Sequence, residues 1–288
     1  EAIRCGKDIA FANKETLVTA GHIIMPMIRK YQVLLTPVDS EHAAIFQCLN
    51  GEHHGEIAKI LLTASGGPFR GRKKEELASV TVEDALRHPN WTMGRKITID
   101  SSTMVNKGLE VMEARWLFDV DYDHIQVVIQ PQSVIHSMVQ FADGAVKAQL
   151  GTPDMHLPIQ YALSFPERMP LDGPRIDFAE LGCLEFFKPD TARFPNLGLA
   201  FECLRRGGNA GGILNAANEI AVAAFLDGQI GFTDIPHINT ETLARATAIA
   251  RPTLDQYRQT DAEAREIARS LLPAQARSRN CKAQSLNS

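Results

Sequence analysis

Residues 32–38 (Gln-Val-Leu-Leu-Thr-Pro-Val) are apolar and β-branched, stop at Asp39-Ser40-Glu41-His42, and pass directly into an apolar-faced stretch through Ala43, Ala44, Phe46 and Leu49. This pattern describes a buried strand feeding a helix, with Ser40 placed to cap it. Continuous apolar strands belong to parallel sheets that helices cover on both faces. In such sheets the carboxyl ends of the strands open into one crevice, where ligands bind. The chain is thereby constrained to an α/β architecture with Asp39 and Glu41 at the mouth of a ligand site. Residues 8–12 and the helical spacing of Leu17, Ala20, Ile24 and Ile28 repeat the unit, and read as the last βα unit of a larger sheet.

Residues 99–110 gather the most chemistry. Ile97 and Ile99 predict a short strand that runs into Ser101 and Ser102, followed by a helix through Met104, Leu109, Met112 and Trp116. A helix N-terminus favours anions, because its first N–H groups are unpaired and the dipole directs its positive end outward. Ser101, Asn106 and Lys107 would complete a phosphate seat there, and Glu110 suits a hard metal ion or a base. A capped surface helix with solvated polar residues would carry the same letters. Asp39, Glu41 and Glu110 would converge from separate strands, and three carboxylates without His or Cys at ligand spacing suit Mg²⁺ or Mn²⁺ rather than zinc.

The remaining pattern is consistent. Residues 56–64 predict a strand ending in Ser65-Gly66-Gly67-Pro68, where glycines let backbone N–H groups approach an anion. Thr81 to Asp84 has capping-box spacing. Residues 90–94 lack a period and carry Trp91 and Met93, as a mobile lid would, or as an ordinary loop holding a core aromatic would. Asp143-Gly144 between residues 134–141 and 145–150 is a hairpin signal. Five prolines in residues 165–195 predict an extended connector. Helical patterns follow at Leu197 to Leu204, Ala216 to Ala224 and Leu243 to Ile249, and residues 273–288 read as a disordered tail.

Charge and cysteines exclude several classes. The net charge of -4, with 44% hydrophobic and 22% charged residues, is ordinary for a soluble cytoplasmic enzyme and argues against a nucleic-acid binder, which needs clustered cations. Five widely spaced cysteines without Cys-x-x-Cys read as thiols in a reducing compartment. No apolar run approaches the roughly 20 residues of a membrane span, and no signal peptide opens the chain.

Seven strings then occur in order: Asn13-Lys14-Glu15; Val38-Asp39-Ser40-Glu41-His42; Ser65-Gly66-Gly67-Pro68-Phe69; His88-Pro89-Asn90-Trp91-Thr92-Met93-Gly94-Arg95-Lys96; Ile99 through Glu110; Pro131-Gln132-Ser133-Val134-Ile135-His136-Ser137; and Leu214-Asn215-Ala216-Ala217-Asn218-Glu219. Together they resemble the 1-deoxy-D-xylulose 5-phosphate reductoisomerase family, over about residues 6–250. The resemblance implies an NADPH-dependent, divalent-metal-dependent rearrangement and reduction of a phosphosugar, 1-deoxy-D-xylulose 5-phosphate, to 2-C-methyl-D-erythritol 4-phosphate on the methylerythritol phosphate route to isoprenoids, by a homodimer. It implies Asp39, Glu41 and Glu110 as ligands of Mn²⁺ or Mg²⁺. Lys14 and Ser40 match groups near the metal-bound oxygens, Ser65, Ser101, Asn106 and Lys107 match phosphate-side contacts, and His88 reaches the phosphate from a lid with Trp91 and Met93. Asn13, Glu15 and Gly94 match cofactor contacts. Glu110, Lys14 and His136 are the catalytic candidates, with Glu110 a ligand first and a base second, and His136 auxiliary.

The expected organisation is α/β: a remnant of a Rossmann-like NADPH-binding domain (1–38), a central α/β catalytic and dimerisation domain (39–164), a linker (165–195), a C-terminal helical domain (196–272) and a tail (273–288). No glycine-rich dinucleotide turn opens the chain, so most of the cofactor domain is expected to lie outside it. His42 could support the carboxylates or bond locally as an ordinary helix residue, whereas His53-His54 reads as a solvated loop. Two alternatives stand beside the main reading. One is a non-redox metal-dependent phosphosugar isomerase or lyase; the other is an inactive dimerisation or ligand-binding fragment.

Overall fold

In the computed structural model, which describes residues 1–52 and 57–274, β1 (Ile9–Phe11) and β2 (Leu35–Pro37) pair in parallel, with Ile9 opposite Leu35 and Phe11 opposite Pro37. They are joined by α1 (Lys14–Tyr31), whose N-cap Asn13 accepts a bond from Thr16 N, and whose backbone departs from helical geometry at Ala20. The pair behaves as the βα pattern predicts, though both strands are shorter than their apolar runs. α2 (Ser40–Leu49) leaves β2 directly and buries Ala43, Ala44, Ile45 and Cys48. Its N-cap position is Asp39, not Ser40 as the spacing predicts, and Asp39 makes no capping bond. The Asp39 carboxylate is held by Lys14 instead.

The chain divides into two compact units that interleave in sequence. The first comprises Glu1–Leu17, Gly21–Gly66 and Leu109–Pro189. Its larger sheet has the order β4-β3-β5-β6, with β3 (Ile57–Ala64) parallel to β4 (Ile125–Ile129) and antiparallel to β5 (Ile135–Phe141), and β6 (Val146–Leu150) antiparallel on the edge. β4 alternates as a half-buried strand should, with Ile125, Val127 and Ile129 inside. The sheet core is Ile60, Leu62 and Val139, each with no exposed surface, and burial of such side chains is worth roughly 1.5–3 kcal/mol apiece. The β5–β6 hairpin turns at Gly144, with Asp143 Oδ1 accepting from Ala145 N at 2.9 Å. α6 (His156–Ser164) follows and packs against α2. The proline-rich connector is mostly irregular, as predicted, but it includes the short helix α7 (Phe178–Leu181) and a bridge from Phe187 to Ile129.

The second unit comprises Val18–Ala20, Gly67–Gly108 and the chain from Asp190 onward. Here α3 (Val82–Ala85) carries the predicted capping box, in which Asp84 N donates to Thr81 Oγ1 at 3.1 Å. The strand expected at Ile97 and Ile99 is instead α4 (Arg95–Ser102). Two alternating apolar residues are too few to specify a strand. The helix is fixed by Gly94 at the N-cap, whose carbonyl accepts from Thr98 N and Thr98 Oγ1, and by the i,i+4 pair of Lys96 with Asp100.

The bundle is centred on α9 (Ala210–Leu226), which is buried almost all round. α8 (Pro195–Arg206), α10 (Asp234–Arg245), α11 (Leu254–Leu271) and α4 all pack against it. The helix expected over Leu243 to Ile249 stops at Arg245. Asn209 draws the following backbone away from helical pairing, accepting from Ile249 N and donating to Thr247 O, each at 2.9 Å. α11 falls inside the expected helical region (196–272), though no pattern singles it out there; Thr253 and Gln256 form a capping box at its start. Phe69, Phe225 and Phe232 pack edge-on within the unit, at 5.1 and 5.9 Å. No helix among the described residues is long and apolar enough to cross a membrane. The His53-His54 loop and most of the predicted tail lie outside the described residues.

Candidate functional site

Two helix starts and the middle of a third helix position the first cluster. α1 delivers Lys14 at its first residue, the β2–α2 corner delivers Asp39, Ser40 and Glu41, and α5 (Val105–Leu117) delivers Glu110 and Glu113. Oxygens of Asp39, Glu41 and Glu110 lie within 4.8 Å of one another. Lys14 Nζ stands 2.5 Å from Asp39 Oδ2 and 3.4 Å from Glu110 Oε1. Ser40 Oγ donates to Glu41 Oε2 at 2.5 Å. All the residues expected near a metal-bound substrate therefore meet in one place, within the first unit.

Electrostatics explain how these charges coexist. Burial penalises Lys14, but the charges of Asp39, Glu110 and Glu113 outweigh it and hold the ammonium well above its ordinary pKa. Burial alone would raise Asp39; the Lys14 charge and the His42 bond pull its carboxyl well below the usual range instead. Asp39 is thus ionised, the state a metal ligand requires.

His42 and Glu113 complete the interior of the cluster. His42 Nδ1 is 3.3 Å from Glu113 Oε2 and 3.5 Å from Asp39 Oδ1, and its Nε2 is 2.9 Å from the Glu110 carbonyl oxygen. Burial disfavours the imidazolium, yet the carboxylates of Glu113 and Asp39 push His42 up to about 9. Burial raises Glu113, with the His42 charge acting against that rise. Of the two readings of His42, the one in which it supports the carboxylates matches this geometry. Glu113 was missed from the sequence, although its three-residue spacing from Glu110 places both on one side of a helix.

The donor set suits a hard cation. Three carboxylates supply only oxygen, and Lys14 already places positive charge between two of them. A divalent ion binding here would meet carboxylate oxygens with no competing thiolate or imidazole in the trio.

The anion-side residues sit on a different construction. Ser101 lies in the last turn of α4, not at a helix start, while Asn106 and Lys107 fall in the first turn of α5. The two helices meet at Met104, a buried residue with φ of 63°. Gly67 has φ of 68°, and a Cβ there would lie 3.0 Å from the Ser101 carbonyl oxygen. Only glycine lets this loop rest against the end of α4. Ser65 precedes it, at the end of β3. Lys107 is buried and Asn106 half-buried.

The other expected residues are more dispersed. His88 Nδ1 accepts from Asn90 N at 3.2 Å and Trp91 N at 3.0 Å, so the imidazole shapes the loop, and burial lowers its pKa. Trp91 and Met93 are half-buried. Gly94 caps α4 and is exposed. Asn13 is engaged in capping α1, and Glu15 lies half-buried in that helix's first turn. His136 is buried in β5, with its Nε2 against Gly151.

Comparison with known proteins places this arrangement. Residues 35–118 match the model of the 1-deoxy-D-xylulose 5-phosphate reductoisomerase C-terminal domain, and residues 150–267 match a second model, the DXP reductoisomerase C-terminal domain. The 1-deoxy-D-xylulose 5-phosphate reductoisomerase of Lachnospira eligens is 63% identical over 256 residues, covering 89% of this chain and 67% of the relative. That of Bacteroides fragilis is 57% identical over 271 residues, covering 94% and 70%. The chain thus spans about two thirds of the length of the curated relatives it matches. A solved structure of the Zymomonas mobilis enzyme in complex with NADPH superposes with a TM-score of 0.87 at 48% identity, covering 94% of this chain and 70% of that one. A DOX-P reductoisomerase in complex with NADPH, fosmidomycin and magnesium gives 0.85 at 42% identity, covering 93% and 71%. The chain belongs to the 1-deoxy-D-xylulose 5-phosphate reductoisomerase family.

Proposed function

We propose that this chain is the metal- and substrate-binding portion of an NADPH-dependent reductoisomerase that converts 1-deoxy-D-xylulose 5-phosphate to 2-C-methyl-D-erythritol 4-phosphate. The observation that carries the reading is the convergence of Asp39, Glu41 and Glu110, with the Lys14 ammonium against two of them, Asp39 and Glu110. When bound, a divalent ion supplies Lewis acidity and a chelating template for the ketone and its neighbouring hydroxyl, and NADPH supplies the hydride.

The chain's own residues do the rest. Asp39 stays ionised because Lys14 is beside it. Lys14 lends positive charge where oxyanion character develops, and Ser40 orients the Glu41 carboxylate through their short hydrogen bond. Glu110 acts as a ligand first, and second as the group that accepts the hydroxyl proton. His42 holds α5 through the Glu110 carbonyl, keeping that carboxylate aimed. Ser65, Ser101, Asn106 and Lys107 bind the substrate phosphate, with His88 approaching from the loop that carries Trp91 and Met93. Asn13, Glu15 and Gly94 contact the cofactor, and His136 is auxiliary.

Homodimerisation belongs to the same reading. β6 is the edge strand of its sheet, and Val146, Met155, Ile159 and Leu163 in and after it are exposed apolar residues. An open strand edge with apolar residues nearby favours pairing with a second copy. Light scattering should give twice the protomer mass.

The experiment that tests the reaction is NADPH oxidation by the protein containing this chain. It is expected only when both the ketose phosphate and Mg²⁺ or Mn²⁺ are present. Conversion of the ketose phosphate without NADPH would instead support a non-redox isomerase, and full activity in the presence of a chelator would remove the metal from the mechanism.

A further inference from the structure

A buried polar chain ties α4 to the helical bundle. Asn218 Nδ2 donates to Asp100 Oδ1 at 2.7 Å; Asn239 Nδ2 donates to Asn218 Oδ1 at 3.3 Å and to Asn196 Oδ1 at 3.1 Å. None of the four side chains belongs to a residue more than 1% exposed. Lys96 Nζ closes the outer end, 2.7 Å from Asp100 Oδ2. The inner end lies on α8, and α8 also touches α5. A Cβ on Gly108 would lie 2.6 Å from the Ala200 Cβ and 3.5 Å from the Asn196 carbonyl oxygen. α8 therefore meets α5 one residue beyond Lys107, while its amide chain grips α4 one residue before Ser101.

Between those two anchored points the backbone turns through Met104, a buried non-glycine residue at φ of 63°. Such a conformation is costly and persists only where the surroundings over-determine it. Leucines in place of the asparagines would bury as much area without the cost of desolvating amides. Hydrogen bonds add direction, which apolar packing does not.

We propose that Asp100, Asn218 and Asn239 are positioning residues for anion binding. Their chain fixes the last turn of α4 against the bundle, as α8 fixes the first turn of α5, and so sets the separation of Ser101 from Asn106 and Lys107. The inference rests on the phosphate-side reading of those three residues. None of the positioning residues needs to touch the ligand.

The test is calorimetric titration of the protein with inorganic phosphate and, separately, Mn²⁺, alongside urea unfolding. Asn218→Leu should weaken phosphate binding by about tenfold, the effect of misplacing roughly one charge-assisted hydrogen bond, and leave Mn²⁺ affinity within about twofold. Val222→Ala, a buried α9 change outside the polar chain, is the control for general destabilisation and should keep parental phosphate affinity. Parental phosphate affinity in Asn218→Leu overturns the proposal, as does an equal loss in Val222→Ala. If Asn218→Leu fails to fold, the milder Asn239→Ser decides: a several-fold loss of phosphate affinity supports positioning, and no loss rejects it. Lys107→Ala separates the two levels. If it too binds phosphate normally, the phosphate-side reading has failed and the positioning role falls with it. If Lys107→Ala loses phosphate while Asn218→Leu does not, only the positioning role has failed.

Discussion

The two buried polar clusters solve opposite problems. Around Asp39 the groups are ionisable, and Asp39 keeps its charge in burial because Lys14 and His42 stand beside it. Around Asn218 the groups are mostly amides, linked donor to acceptor, with one carboxylate paired to Lys96 at the end. Unpaired buried charge is far more expensive than an unpaired amide. The charged cluster therefore has a stake in acquiring a cation, and the amide chain has none. The first is built to bind, and the second to hold a shape.

The largest expected effect breaks the charge balance. Lys14→Met removes the ammonium shared by Asp39 and Glu110, and should cost about 3–5 kcal/mol of stability in urea, as loss of one partner in a buried ion pair does. Saturating Mn²⁺ should then restore more stability to the variant than it adds to the parent. Equal stabilisation of both proteins would mean that the ammonium and the metal ion do not share these carboxylates.

Next is the metal site itself. Glu110→Gln keeps the side-chain shape and removes one of three charges, which should weaken Mn²⁺ binding about a hundredfold, or roughly 2.7 kcal/mol. Electron paramagnetic resonance of free Mn²⁺ reads this directly, and unchanged affinity would rule Glu110 out as a ligand.

Asn239→Leu probes the other cluster. It should cost about 1–3 kcal/mol, because the acceptor on Asn218 and that on Asn196 lose their shared donor, while Mn²⁺ affinity stays at the parental value. A fall in Mn²⁺ affinity would erase the contrast between the two clusters.

The smallest effect calibrates the rest. Thr253→Ala deletes the α11 cap, whose hydroxyl accepts from Gln256 N at 3.3 Å, and should cost about 1 kcal/mol with neither phosphate nor Mn²⁺ binding altered. Loss of either ligand would show that ordinary destabilisation of the bundle reaches the sites, and the effect of Asn239→Leu would need reinterpretation.

Local chemistry made much of this molecule legible in one dimension. The apolar run that ends at Asp39, the capping box at Thr81 and the Asp143-Gly144 hairpin each express a rule whose partners lie within a few residues. Asp39 and Glu41 were legible because they stand where β2 passes into α2; Glu110, in the middle of α5, joined them in the sequence through the family strings rather than through any strand end. Tertiary structure decided the rest. Residues 95–102 have local helix signals in the Gly94 cap and the Lys96–Asp100 pair, but the burial of Asp100 came only with α9 packed against them. Glu113 and His42 acquired their roles only when burial brought them together and removed water. Asn218 read as one letter in a helical pattern until Asp100 and Asn239, far away in sequence, became its partners. Short-range hydrogen-bonding preferences act through neighbours along the chain; desolvation and charge pairing act through neighbours in space, and those exist only after folding.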